Sequence, residues 1–245
     1  MFSSGHFIWL GAIALAILAA FFFVKHRKPS HKTVQFAVTA LLIVMKLLHY
    51  SLSMEESSDG GLVLSQDQLS FHLCSIQIYL VVFMNFIKDE IRLSKLKSFM
   101  VPCMLIGAAM ALLIPTAGVD PSELRVWEYM LCHGILVFYG VYLMAIERVD
   151  LALRAYANNL LLLLAVAMIA FYMNSILAEH NANYLYLREP PMDGLPILNL
   201  NHGWFVYLLI LSLIACTLVF LVQLPFIVKD LKKRRREAET KNLPS

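Results

Sequence analysis

Long apolar stretches recur along this chain, and they leave few folds open. About 20 apolar residues cross a bilayer as a helix. Such stretches cover about 7–24, 34–54, 70–87, 98–116, 126–146, 155–178 and 203–228. Several contain unbroken runs, as from Leu160 to Ala170, and lack the alternation of a membrane barrel. With 60% of its 245 residues hydrophobic and 15% charged, the chain carries more apolar surface than one soluble core can bury. A soluble enzyme, a nucleic-acid binder and a disordered scaffold are poor fits. The expected fold class is all-α: a polytopic membrane protein with a single domain over 1–228, a bundle of seven transmembrane helices, and a basic tail at 229–245.

Charge placement orients the bundle. No Lys or Arg precedes the first stretch, and Lys25, Arg27, Lys28 and Lys32 follow it. That is the flank pattern of a retained span and not of a cleaved signal peptide. Segments 25–33, 88–97, 147–154 and the tail carry 17 of the 20 basic residues, against two in the intervening loops 55–69, 117–125 and 179–202. Positive charge stays on the cytoplasmic side, so the N-terminus is expected outside and the C-terminus in the cytoplasm of a multi-pass cell-membrane protein. The run Lys232 to Arg236 lies directly behind the last span, which suits contact with anionic lipid headgroups and not with nucleic acid. The loop 179–202 holds Pro190, Pro191, Gly194 and Pro196, so it is expected to be non-helical and outward-facing.

Polar side chains inside a span are costly and mark sites. Lys46, His49, Tyr50 and Ser53 follow the i, i+3, i+4, i+7 series and share one helix face, which must look into the bundle or onto water. In the third span Cys74, Gln77 and Asn85 form one stripe, and His72, Ser75 and Tyr79 another. In the fifth, Tyr129 and His133 share a face, and Cys132 is turned about 100° away. Cys74, His133 and His49 are expected in one outer layer, with His180 and His202 flanking the outer loop and no comparable cluster in the inner half. Three chemistries fit such a layer: a thiol nucleophile with an imidazole base, a metal site, or packing by small and polar residues. The spacings match no standard zinc pattern, so no metal and no cofactor is expected.

The Phe71-His72-Leu73-Cys74 start of the third span, the pair His133-Gly134, and the string Asn183-Tyr184-Leu185-Tyr186-Leu187-Arg188-Glu189-Pro190 with the following tract to Trp204 resemble the YwaF family of bacterial integral membrane proteins. That family is remotely similar to the animal transmembrane protein 164, an acyltransferase that places acyl chains on ether phospholipids. The resemblance implies that Cys74 accepts an acyl group and His133 is the base, with membrane phospholipids as donor and acceptor. Lys46, His49, Gln77, Asn183, Tyr184 and Arg188 are the expected substrate-binding residues: Arg188 for a phosphate, Gln77 or Asn183 for an oxyanion. In a purely structural reading, the string is a loop packed over the bundle mouth. A lipase, a metal-dependent lipid hydrolase, a small transporter or channel built on the Lys46 face, and a non-enzymatic partner protein remain the alternatives.

Overall fold

The computed structural model describes residues 3–56, 60–64, 69, 71–192 and 194–241. Its helices are α1 (Ser4–Arg27), α2 (His31–Leu52), α3 (Leu73–Met84), α4 (Glu90–Leu113), α5 (Leu124–Tyr142), α6 (Leu153–Ile176) and α7 (Trp204–Lys241). Six of them are long and apolar enough to cross a membrane. The exception is α3, with 12 residues against the 18-residue stretch read at 70–87. It starts only after His72, whose backbone is extended, and stops where Asn85 turns its amide back onto the Val81 and Val82 carbonyls.

Local chemistry sets the other ends. Ser3, Ser30 and Asp89 accept backbone N–H groups in the first turns of α1, α2 and α4, the usual service of an N-cap. The last turn of α1 carries Lys25, His26 and Arg27, and Lys28 closes it in the left-handed region at φ 49°. The span read at 203–228 continues without a break into the basic tail, so the tail is helical through Lys241. There, Arg234 pairs with Asp230 and Arg235 with Glu239, each one turn apart. The sequence reading contained no strands. A short antiparallel hairpin, β1 (Met54–Glu56) with β2 (Leu62–Leu64), nevertheless follows α2.

At the centre lies α4, which touches α3, α5, α6 and α7. The main core fills the space between α2, α3, α4 and α5, with Leu42, Val81, Met100, Met104, Leu136 and Tyr139 inside. The first helix packs against α5 through Trp9 and Ile13, which meet Val126 and Met130. Gly134 makes this approach possible, because a Cβ there would lie 3.1 Å from the Ile13 side chain. Half of the His133-Gly134 pair is thus explained by helix packing. Beyond α6, the loop folds over its own small cluster of Ala170, Ala182 and Tyr184.

Candidate functional site

The polar face of α2 turns into the bundle, as its spacing requires. Lys46, only 8% exposed, donates to the Ser75 hydroxyl of α3 at 3.4 Å and lies 4.5 Å from the centre of the Tyr50 ring. The Tyr50 and Tyr79 hydroxyls meet at 2.6 Å. Nearer the other end of α2, Asn85 joins Gln35 and Thr39. The face is therefore occupied along its length by α3 and α5.

His49 reaches α5, where Glu128 receives its Nδ1 at 3.4 Å. Glu128 is a carboxylate 6% exposed in a candidate membrane span, and it lies within Coulomb range of both Lys46 and His133. Sequence reasoning passed over it. The signal was there, since an ionisable residue within an apolar helix is a functional candidate by default.

His133 is half-buried, with its Nδ1 2.6 Å from the Tyr129 carbonyl one turn back. A carbonyl only accepts, so Nδ1 carries the hydrogen and Nε2 keeps the lone pair. That is the tautomer a general base requires. The Tyr129 ring lies tilted against the imidazole, with centroids 4.3 Å apart, and its hydroxyl donates to the Ala111 carbonyl of α4.

Cys74 is the second residue of α3, not one turn in as the stretch 70–87 suggested. It is half-buried and free, as are Cys103, Cys132 and Cys216. Its sulfur packs against Gly107 of α4, where a Cβ would come within 3.3 Å. Cys132 belongs to the core against which Cys74 packs. One turn along α3, Gln77 is fully buried, and neither its amide nitrogen nor its oxygen has a hydrogen-bond partner among the described residues. Among the described residues no hydrogen bond joins Cys74 to His133: Cys74 packs on α4, and His133 bonds the Tyr129 carbonyl of its own helix.

The string 183–190 covers the start of α3. The Tyr184 ring meets Phe71 and His72, and Tyr186 meets His72, at centroid separations of 5.2 to 5.4 Å. Burial pushes the Tyr186 phenol up, and the Cys74 thiol nearby adds to the shift. Asn183 and Arg188 serve the loop itself. Asn183 accepts from the Arg188 backbone N–H at 3.0 Å and donates to the Glu189 carbonyl at 2.9 Å. Arg188 donates through Nη1 to the Ala182 carbonyl at 3.2 Å. Asn174 of α6 clamps Tyr184 at both its N–H and its carbonyl, at 2.7 and 3.0 Å. Leu185 and Tyr186 hold positive φ of 55° and 56°, uncommon for residues with a Cβ. His180 and His202 are exposed and stay outside the layer.

The opposite end of the bundle corrects the expectation of an inner half without polar clusters. Lys97 and Glu147 form a mostly buried ion pair. Glu147 closes the π-helical turn Leu143–Glu147 that follows α5. Beside it, His31 and the Tyr142 hydroxyl meet at 2.6 Å, and Asn159 donates to the Ser98 carbonyl at 2.9 Å. Counted by hydropathy, both members of the ion pair fell in loops. Here α4 begins at Glu90 and carries Lys97 two turns into the bundle.

These elements describe a multi-pass helical membrane protein with a layer of ionisable and thiol side chains between α2, α3 and α5. The chain belongs to the TMEM164 family, whose model matches residues 1–223. No curated protein and no solved structure matches it.

Proposed function

We propose that this protein is a lipid acyltransferase of the cell membrane, using Cys74 as acyl acceptor and His133 as base, with the N-terminus and the loop 179–202 outside. Within the family, the string 183–190 favours the bacterial YwaF branch. The observation that carries the reading is the surroundings of Cys74. The thiol stands in the first turn of α3, its sulfur against Gly107 of α4. Two tyrosines roof the start of its helix, and the unpartnered Gln77 amide lies one turn away. A buried amide left without partners costs about 1–3 kcal/mol. A group that binds there recovers that cost, and a tetrahedral oxyanion is such a group.

The chemistry balances with one thiol and one imidazole. The sulfur attacks the ester carbonyl of a donor phospholipid while Nε2 of His133 takes the thiol proton. The C–S bond forms, the C–O bond breaks, and the imidazolium returns the proton to the departing lysolipid oxygen. In the second half an acceptor hydroxyl gives its proton to His133 and attacks the thioester. The new C–O bond releases the sulfur as thiolate, which takes the proton back. Water as acceptor would make the same site a lipase. Thiol and imidazole must approach for the first step, and catalytic hydrogen bonds often tighten only with substrate bound. Lys46 and His49 place hydrogen-bonding nitrogens beside the layer. Asn183, Tyr184 and Arg188 act through the roof they build. The basic tail rests on anionic headgroups.

The test uses the full chain in liposomes with a phospholipid fluorescent in one acyl chain. After quenching, the protein carries a label that hydroxylamine removes. Cys74→Ala abolishes the label, whereas Cys103→Ala, Cys132→Ala and Cys216→Ala keep it. His133→Ala slows labelling by about 100-fold or more, the usual worth of a general base. A hydroxylamine-sensitive label on the Cys74→Ala protein would falsify the reading.

A further inference from the structure

Beside α3, on the face turned away from Cys74, an apolar groove of about 440 Å³ runs between α3 and α6. Ile76 and Leu80 form one wall, Val166 and Ile169 the other, and Phe71 stands near the loop end. Tyr50 and Tyr79 also line it, and their hydroxyls form the 2.6 Å pair. Behind Tyr50 lies the Lys46 ammonium, 4.5 Å from the ring centre.

Three features identify the occupant. The groove lies along a helix whose outer residues Leu161, Leu164 and Met168 are each about 60% exposed, so its neighbourhood is acyl chain and not water. Taking about 30 Å³ per carbon-sized group, the share of a water in its liquid, it holds roughly 15 such groups: one lipid chain, not two. Among the described residues its polar lining is the Tyr50–Tyr79 hydroxyl pair, with Lys46 behind it. Hydroxyls donate to a carbonyl oxygen, and a nearby ammonium strengthens a bond to a group with partial negative charge. In a membrane the group attached to a chain that meets this description is a lipid ester.

The geometry points to a phospholipid-binding site here, with one ester-linked acyl chain lying between α3 and α6 and its ester carbonyl accepting from the Tyr79 hydroxyl. This goes beyond the acyl-transfer reading and does not rest on it, because the groove faces away from Cys74 and needs no chemistry there. It does adjoin the site, since Lys46 also bonds Ser75, the residue after Cys74.

The test is photocrosslinking of the full chain in phosphatidylcholine vesicles containing a trace of diacyl phosphatidylcholine with a diazirine in one chain. Adducts should concentrate on Ile76, Leu80, Val166 and Ile169. Their excess per residue over the exposed face of α7 at Leu209 and Leu213 should be about five-fold, equivalent to about 1 kcal/mol. Ile169→Trp, at a position already half-exposed and therefore tolerant in folding, should remove the excess, and Val166→Phe serves as a second filling variant. An ether-linked probe with the same chain lacks the carbonyl and should label the groove less. Tyr79→Phe should erase that difference between the two probes while leaving the protein able to be labelled. Adducts spread evenly over α1, α6 and α7 would overturn the site. So would an excess that survives both filling variants, and equal labelling by ester and ether probes would overturn the carbonyl clamp. Absence of any Cys74 thioester label in the unmodified chain, with these adducts present, would fail the catalytic reading alone.

Discussion

Asn174 is the residue whose removal should most change how the loop sits. Its amide spans the backbone of Tyr184, accepting from the N–H at 2.7 Å and donating to the carbonyl at 3.0 Å, and both partners are buried. Asn174→Ala strands both. Each stranded buried group costs about 1–3 kcal/mol, so full exclusion of water would cost about 2–6 kcal/mol. Water can follow the truncated side chain, so the low end of about 2 kcal/mol applies, raising the open population about 30-fold at 1.4 kcal/mol per decade. Amide hydrogen exchange across 184–190 should accelerate by that factor in vesicles, with the helix amides of α4 and α5 unchanged. Alkylation of Cys74 by a polar maleimide, in a variant keeping that cysteine alone, should accelerate in parallel, because Tyr184 and Tyr186 roof the helix start on which Cys74 stands. Asn174→Asp keeps the acceptor and loses the donor, and should fall between the two. Unchanged exchange in Asn174→Ala would refute the clamp. Faster exchange with unchanged alkylation would show that the loop does not govern access to the thiol.

Three smaller outcomes follow from other contacts. Gly107→Ala places a Cβ 3.3 Å from the Cys74 sulfur, so the thiol must shift; alkylation should slow several-fold with melting lowered by about 1 kcal/mol, the low end for overpacking. Glu128→Gln removes the carboxylate from His49 and from the field of Lys46; thermal melting in detergent should show a loss of about 2 kcal/mol, in the range of a charged hydrogen bond, and His49→Gln in the same chain should add little further. Lys97→Met leaves Glu147 buried without its partner and should cost about 3–5 kcal/mol, with Lys97→Met/Glu147→Leu recovering much of it.

Hydropathy located the helices because the bilayer acts on average apolarity over whole turns, and the ends then differ by a few residues. The spacing of Lys46, His49, Tyr50 and Ser53 announced an inward face, and Lys46 and His49 do reach α3 and α5. What stayed hidden were pairings across many residues. Lys97 reads as one more basic loop residue until α4 is seen to begin at Glu90 and Glu147 to lie across from it. Glu128 carried an intrinsic signal, a carboxylate amid apolar neighbours, and its partner His49 is 79 positions away. Asn183 and Arg188 have the chemistry of phosphate ligands, and only the backbone path of the loop reveals that they bond to it first.

The shortness of α3 has a consequence for the loop above it. Twelve residues rise about 18 Å, and a hydrocarbon layer is about 30 Å thick. The helix is thus roughly 12 Å shorter than that layer, and the string over its start is irregular chain. Lipid offers such chain no hydrogen bonds, so irregular backbone survives there only when protein supplies them. That accounts for the number of side chains spent on main-chain groups of one short string: Asn174, Asn183 and Arg188, then Trp204 on the Leu187 carbonyl and Tyr207 on that of Tyr186. The string behaves as a stopper with its own internal wiring, and the depth at which the Cys74 thiol stands is set by how early the helix begins.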